Sequence, residues 1–316
     1  MDHLRLVVLP RKTLTWNDFL ISTPPNSIAL DGVVSGGPKY DARTRHINFD
    51  HHDGVVREAT MSTCKQVYMA IQGGLFESFR EHGRPMAHVY VNDPDQDTAL
   101  ALWELENYQR LEGTNGSHNI NRLIELTDRL DVTGGAFPMN LSGQLIRQQT
   151  WVFQPYTDFR KSGKLSGATA EEMRVCLKAT SHRLTEFMRG RGEELDLDTR
   201  HTILYENPMF KVVDEIGGNS ARCFLFSQGM NAFISLVAER QDGNKVYAVG
   251  RRSRYIPFPV QDLYRVYNEA EGLDSSEGWN GSDIIGGSSR SKGSKLTPAE
   301  IFKITTEHIN NSQDVF

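Results

Sequence analysis

Short apolar runs alternate with segments of helical periodicity through the first 135 residues. Runs of strand length occupy residues 4–9, 27–34, 46–49 and 86–91. Apolar positions three and four apart predict helices over residues 60–80, 98–111 and 120–130, the first interrupted by two glycines. The repeated order of strand, loop and helix favours an α/β fold, a mainly parallel sheet with helices on both faces.

The pattern changes after the longest predicted helix, which spans residues 169–189. Thr169 is suited to be its N-cap, and Glu171 and Glu172 are favourable in its first turn. Beyond it, short apolar segments predict strands over residues 202–205, 210–216, 222–226, 232–238 and 245–249, and helices over 260–270 and 298–309. We therefore expect a first domain over 1–165, a helical connector over 166–200, and a smaller α+β domain over 201–316.

Composition narrows the classes of protein. The chain has 316 residues, with 35 Lys and Arg against 40 Asp and Glu, so its charge gives no general reason to bind nucleic acid or an anionic membrane. Its 3 cysteines are far apart, which argues against a disulfide framework or a thiolate zinc site. No apolar run approaches the roughly 20 residues of a membrane span. We expect a soluble cytoplasmic protein.

Polar clusters follow two of the predicted strands. Asp50-His51-His52 comes directly after the strand at 46–49, and an acidic loop containing Asp93, Asp95 and Asp97 follows the strand at 86–91. Such loops lie at the carboxyl ends of strands, where ligands bind in open α/β sheets. In an extended loop, alternate aspartates point the same way.

Hard divalent cations prefer carboxylate oxygens, and Mn²⁺ also accepts imidazole. Two ions roughly 3.5–4 Å apart would hold a phosphate and activate water. An Asp-rich loop before a helix also serves as an N-cap, and a His-His pair also occurs as a plain surface or core feature.

The tripeptide Asp50-His51-His52 after an apolar strand, with a helix behind it, resembles the motif that names the DHH phosphoesterase superfamily. The segment 93–98 resembles the Asp-rich motif of that group, and 126–135 resembles a later motif that supplies a further aspartate. The resemblance implies a set of metal ligands, namely Asp95, Asp97, His51 and Asp128, with Asp131 as the rival of Asp128. It also implies that His52 contacts the substrate phosphate and that Asp50 orients the pair.

The chain departs from the pattern of that superfamily in three places. Its Asp-rich motif follows the DHH motif instead of preceding it, so the resemblance implies a permuted order of the same strands. A histidine that often precedes the Asp-rich motif is replaced by Val91, and Asp93 is the candidate to take its role. The aspartate that bridges two metals would align near Ser35, and either Asp31 or Asp41 can substitute for it.

A Gly/Ser-rich segment near the carboxyl terminus, Gly286-Gly287-Ser288-Ser289-Arg290, resembles the element with which the second domain of these proteins grips substrate. Backbone amides of such a loop can cradle a phosphate, and Arg290 would add a charged contact. Arg252 lies in a second basic run that follows a strand. A flexible linker and a solvated strand end are the plainer interpretations of these two segments.

The resemblance implies a metal-dependent phosphoesterase that hydrolyses a phosphate ester or anhydride of a nucleotide or small molecule, with two Mn²⁺ or Mg²⁺ ions and metal-activated water. The alternatives are an exonuclease of short oligonucleotides, for which Tyr255, Phe258 and Trp279 are stacking candidates, and a non-catalytic ligand-binding protein that retains the fold. No membrane partner is expected, and a homodimer is left open.

Overall fold

A computed structural model describes residues 3–274, 277–289 and 292–313. The chain divides into two compact units. The first comprises Met1–Val132 and Ser142–Asp196, and the second comprises Thr133–Leu141 and Leu197–Phe316. The mixed α/β architecture predicted from the sequence is confirmed.

The first unit is built around a five-stranded sheet. The described strands of this sheet are β1 (Leu4–Val8), β2 (Ser27–Leu30), β3 (Lys39–Asp41), β4 (His46–Phe49) and β7 (Ala87–Val91). A separate short hairpin of the same unit consists of β5 (Arg80–Glu81) and β6 (Arg84–Pro85). The described α-helices of the first unit are α1 (Trp16–Ser22), α2 (Thr63–Gln72), α3 (Leu75–Ser78), α4 (Gln96–Glu106), α5 (His118–Val132), α6 (Gln144–Val152), α7 (Gln154–Lys161) and α8 (Ala170–Met188). Strand order is β1-β7-β2-β4-β3, with the first four parallel and β3 antiparallel at the edge.

Both faces of this sheet are covered by helices. Side chains alternate across a strand, so Ile28 and Leu30 of β2 face one way while Ala29 faces the other. Ala29 packs in a small cluster with Phe19 of α1, whereas Ile28 and Leu30 belong to the main core with residues of α2, α4, α5 and α8. The short α1 therefore closes one face, and the larger helices close the other.

Local sequence explains where the helices begin and end. Gly74 has a positive φ of 90°, and the predicted 60–80 helix is accordingly divided into α2 and α3. Thr169 forms a capping box with Glu172 at the start of α8, as its position predicted. Helix α8 packs against α4, α6, α7 and β1, so the segment assigned to a connector belongs mostly to the first unit.

The second unit is built around a six-stranded mixed sheet in the order β12-β13-β11-β10-β9-β8. Its described strands are β8 (Thr202–Glu206), β9 (Lys211–Asp214), β10 (Ala232–Glu239), β11 (Lys245–Arg251), β12 (Asn280–Gly281) and β13 (Ile285–Gly287). Its described helices are α9 (Asn219–Ser227), α10 (Val260–Glu271) and α11 (Pro298–Gln313). The strand predicted over 222–226 is wrong, because this segment lies in α9 and packs through Leu225 and Phe226 beneath the sheet.

None of the helices in the described ranges combines the length and the apolar character that a membrane crossing requires.

Candidate metal centre

Three parallel strands bring distant parts of the chain to one edge of the first sheet. Strands β7, β2 and β4 are neighbours, although they are the seventh, second and fourth strands in sequence. The acidic loop follows β7, Asp31 follows β2, and Asp50 follows β4. Because the carboxyl ends of parallel strands lie at the same edge of a sheet, the three segments converge there.

His51 lies at the centre of this convergence. Its Nε2 atom is 3.7 Å from Asp31 Oδ1, 3.7 Å from Asp97 Oδ2 and 2.6 Å from Asp131 Oδ2. The histidine is fully buried, and apart from the short ion pair of Nε2 with Asp131 neither ring nitrogen has a polar partner within hydrogen-bond distance among the described residues. Buried polar atoms are normally paired, so an imidazole in this state among three carboxylates points to a ligand.

His52 lies beside the same carboxylates and is partly open to solvent. Its Nδ1 atom is 3.3 Å from Asp31 Oδ1 and 2.9 Å from Asp50 Oδ1, and 42% of its side chain is exposed. Asp31 thus lies close to both histidines. Of the two aspartates left open as a bridge, the structure brings Asp31 to the site, whereas Asp41 accepts hydrogen bonds from Thr44 at the edge strand.

The ligand atoms form two sets that share His51. Asp31, His51 and His52 make one set, and His51, Asp97 and Asp131 make the other, with the atoms of each within 4.8 Å of one another. Imidazole and carboxylate donors at these separations fit a divalent cation such as Mn²⁺. The buried Nδ1 of His51, which has no hydrogen-bond partner in the described part of the chain, supports the same fit.

Asp50 organises the loop that carries both histidines. Its Oδ1 atom accepts hydrogen bonds from the backbone nitrogens of His51 at 2.6 Å and His52 at 2.9 Å. Gln66 of α2 donates to the Asp50 carbonyl oxygen at 3.0 Å. These bonds fix the backbone of the tripeptide, which is the geometry expected of a residue that orients its neighbours.

The members of the acidic loop separate into different roles. Asp95 is the N-cap of α4 and accepts from the backbone nitrogen of Thr98 at 2.9 Å. Asp97 instead reaches α2, where its two oxygens accept from the backbone nitrogens of Thr63 and Cys64 at 2.6 and 2.8 Å. Among the described residues, Asp97 belongs to a ligand set, while Asp93 and Asp95 belong to none.

Of the two aspartates on α5, the structure brings Asp131 and not Asp128 to His51. The carboxylate of Asp128 accepts from the backbone nitrogen of Ser62 at 2.7 Å and from Lys65 Nζ at 3.1 Å. The preference for Asp128 is therefore corrected to Asp131. Residues three apart on a helix differ by only about 60° around the axis but by about 4.5 Å along it, so Asp131 at the end of α5 can have different neighbours from Asp128.

Burial and mutual repulsion shift the pKa values of the cluster. Burial, followed by the nearby charges of Asp95 and Asp97, raises the pKa of Asp31 well above its usual value. Burial, followed by the charge of Asp131, raises the pKa of Asp97 to about 6. Burial would also raise the pKa of Asp131, but the neighbouring His51 and Arg57 outweigh it and lower that pKa. Burial opposes a charge on His51, yet Asp131 raises its pKa overall.

In the second unit, the two glycines of the Gly/Ser segment are part of a sheet and not of a loop before a helix. Gly286 and Gly287 lie in β13, paired with β11 and β12, and the Ser288 hydroxyl accepts from the backbone nitrogen of Tyr247. A Cβ at Gly286 would lie 2.2 Å from the Tyr264 hydroxyl oxygen, so close packing accounts for this glycine. These contacts replace the predicted phosphate cradle.

The remaining predicted residues of the second unit add little to a site. Arg252 follows β11 and its backbone nitrogen donates to Asn231. Arg290 lies outside the described residues. Of the aromatic candidates for base stacking, Phe258 and Trp279 are buried in the core and Tyr255 is 86% exposed.

Of two further features of the site, only the first carried a signal that could have been read from the sequence. Asp31 stands between the apolar run of β2 and Gly32, and an Asp-Gly pair at that point marks the carboxyl end of a strand. Arg57 reaches the end of α5 from a position 74 residues away from Asp131, and nothing local in the sequence indicates that contact. Comparisons with protein-family models, with curated proteins and with solved structures found no match.

Proposed function

We propose that the first unit binds divalent cations, Mn²⁺ in preference, and hydrolyses a phosphate ester or anhydride of a nucleotide or small phosphorylated molecule. The observation that carries the proposal is His51, a fully buried imidazole whose Nε2 lies within 3.7 Å of three carboxylates and whose Nδ1 has no hydrogen-bond partner among the described residues. A buried group of this kind costs free energy unless a ligand satisfies it.

The ligand sets assign roles to the residues of the chain. Asp31, Asp97, Asp131 and His51 would hold the metal, and Asp31 is the best candidate to bridge because it lies close to both histidines. When bound, divalent cations supply an activated water and stabilise negative charge on phosphorus oxygens. The negative charge of three or four clustered aspartates otherwise repels a phosphate, so we expect hydrolysis only with metal present.

His52 is the candidate to contact the substrate. Its Nδ1 atom faces Asp50 at 2.9 Å, which leaves Nε2 to donate to a phosphate oxygen. Asp50 fixes the orientation of the ring, so that Nε2 points away from Asp50. Since 42% of the His52 side chain is exposed, a substrate can reach it from solvent.

The test compares two aspartates three residues apart on one helix. Asp131→Asn should lose Mn²⁺ binding, measured by electron paramagnetic resonance of free Mn²⁺, and should lower hydrolysis of bis(p-nitrophenyl) phosphate by at least about 100-fold. Asp128→Asn is the matched control, because its carboxylate is engaged by Ser62 and Lys65. We expect Mn²⁺ affinity and turnover of that variant to stay within a few-fold of wild type.

Equal turnover in wild type and Asp131→Asn would contradict the proposed chemistry, as would a wild-type chain that binds no Mn²⁺. A substrate panel of p-nitrophenyl phosphate, pyrophosphate and a labelled trinucleotide separates monoester, anhydride and oligonucleotide hydrolysis. Mn²⁺ binding without hydrolysis of any of these would favour the non-catalytic ligand-binding alternative.

A further inference from the structure

We propose that Arg57 is a positioning residue of the metal centre, and that it sets the place of Asp131 by holding the carboxyl end of α5. This inference rests on the proposed metal-binding function. Arg57 lies in a short 3₁₀ helix, Arg57–Ala59, that follows the histidine tripeptide. The loop after β4 thus carries both His51 and the guanidinium of Arg57, which contacts the end of α5.

The contacts of Arg57 are directed to the backbone of α5. Its Nε atom donates to the carbonyl oxygen of Val132 at 2.9 Å, and its Nη2 atom donates to the carbonyl oxygen of Asp131 at 2.9 Å. The residue is only 7% exposed. A buried guanidinium with two aligned donors holds its partners in one geometry, because the fork is planar and rigid.

The end of a helix needs such a partner. The last four carbonyl groups of an α-helix have no intrahelical donor, and α5 ends at Val132. A cation at this end also complements the negative end of the helix dipole. Arg57 therefore satisfies the two carbonyls that fix the backbone beneath the Asp131 side chain.

Arg57 does this without a hydrogen bond to the carboxylate that faces His51, with which it forms only a longer ion pair. Its Nη2 atom is 3.8 Å from Asp131 Oδ2, beyond hydrogen-bond distance, whereas His51 Nε2 is 2.6 Å from the same oxygen. The carboxylate of Asp128, by comparison, is engaged by a backbone nitrogen and Lys65. Asp131 is held by hydrogen bonds to its backbone, so its carboxylate stays beside His51, where a metal would bind.

The experiment uses the full chain and two measurements. Arg57→Met keeps the length of the side chain without its donors, and Arg57→Lys keeps the charge without the fork. The matched control is Arg251→Met, since Arg251 donates to the carbonyl oxygens of Ile256 and Phe258 in the second unit. Amide hydrogen exchange of the peptide 125–133 is followed without metal, and Mn²⁺ affinity is followed by electron paramagnetic resonance.

We expect Arg57→Met to exchange faster at the end of α5 and to bind Mn²⁺ roughly 10–100-fold more weakly, the usual effect of removing an outer partner of a metal site. Arg57→Lys should fall between this variant and wild type, and Arg251→Met should match wild type in both measurements. Urea unfolding shows whether each variant is folded. If Arg57→Met is unfolded, the comparison of Mn²⁺ affinity is made between Arg57→Lys and wild type.

Two results would overturn the inference. If Arg57→Met binds Mn²⁺ with wild-type affinity, the inference is wrong, whether or not amide hydrogen exchange is faster. The contacts of Arg57 would then stabilise only the end of α5. A wild-type chain that binds no Mn²⁺ removes the proposed function and the positioning role with it. That result differs from the first, in which wild type binds and Arg57→Met binds equally well.

Discussion

Each unit buries carboxylates, but the two units satisfy them differently. In the second unit, both oxygens of Glu215 accept from Arg222 at 2.7 Å, and the hydroxyl of Ser235 donates to Glu215 at 2.5 Å. In the first unit, Asp31, Asp97 and Asp131 surround His51, whose Nδ1 has no hydrogen-bond partner in the described part of the chain.

The difference separates a structural network from the proposed binding site. A buried ion pair with every hydrogen bond made is complete as it stands, and its role is to hold the fold. Two buried carboxylates and a partly exposed one around a single buried imidazole carry excess negative charge, and a divalent cation would balance it. The contrast predicts that a divalent cation stabilises the cluster around His51 and leaves the cluster around Glu215 unchanged. It also predicts that loss of one charged partner destabilises the protein more at the Glu215 cluster.

The largest effect is expected in the second unit. Arg222→Met leaves Glu215 buried without its cation, which should lower the free energy of unfolding by about 3–5 kcal/mol. Urea unfolding should give the same loss in EDTA and in Mn²⁺. Arg254→Met is the control, since its pair with Asp283 is partly exposed and worth at most about 1 kcal/mol. If Mn²⁺ reduced the loss of stability in Arg222→Met, the metal would bind near Glu215 and not at His51, which would contradict the comparison.

Metal should stabilise the first unit by a comparable amount. At a free Mn²⁺ concentration about 100 times Kd, the free energy of unfolding should rise by about 2.7 kcal/mol. Asp31→Asn should abolish this gain and, in EDTA, should be no less stable than wild type, because burial and the neighbouring aspartates disfavour the ionised form of Asp31 that the variant cannot adopt. Asp41→Asn should keep the gain in full. Thermal unfolding with and without Mn²⁺ measures both, and a persistent gain in Asp31→Asn would exclude Asp31 as a ligand.

Without metal, the stability of the protein should depend on pH through Asp97. Its folded pKa of about 6 lies above the usual value, so the folded state binds more protons than the unfolded state between about pH 4 and 6. The stabilising contribution is complete below that range and is lost as pH rises through it, at no more than about 1.4 kcal/mol per pH unit for one proton. Urea midpoints in EDTA should fall with rising pH, and Asp97→Asn should flatten the decline. A steeper decline in the variant would contradict this assignment.

The smallest effect concerns Glu104, a fully buried carboxyl on α4 with no hydrogen-bond partner among the described residues. Burial, followed by the charge of Asp97, raises its pKa well above the usual value. Glu104→Leu removes an unsatisfied polar group and should stabilise the chain by about 1 kcal/mol. A raised pKa means that the folded wild type loses stability as pH rises above the usual pKa of a carboxyl group. The difference in stability between Glu104→Leu and wild type should therefore grow with pH.

Glu106→Leu is the matched control for that change. Glu106 lies on the same helix but accepts a hydrogen bond from Ser181 at 3.1 Å, so its replacement should leave a donor unpaired and destabilise the chain. Chemical unfolding at pH 5 and pH 8 distinguishes the two variants. A loss of stability in Glu104→Leu would mean that this carboxyl has a structural partner.

Local pattern was enough to place most of the elements that carry the site. The strands before Asp50 and Asp93, the helix break at Gly73-Gly74 and the cap at Thr169 follow from hydrophobic period and turn chemistry. Local pattern failed at residues 222–226, where a short apolar segment fits a strand and a buried helix equally well. It also failed at Gly286 and Gly287, whose Gly/Ser composition indicated a loop although they pair in a sheet.

The sequence by itself determined that an aspartate–histidine tripeptide and an acidic loop each follow an apolar strand, and that metal-binding residue types lie there. Only the tertiary structure decided which of them meet. Strand order brought β7 beside β2 and β4, and so brought Asp31 and Asp97 to His51. The end of α5 brought Asp131 there in place of Asp128. The physical reason is that local pattern sets the secondary structure, while register, strand order and helix rotation arise from packing between segments far apart in the chain.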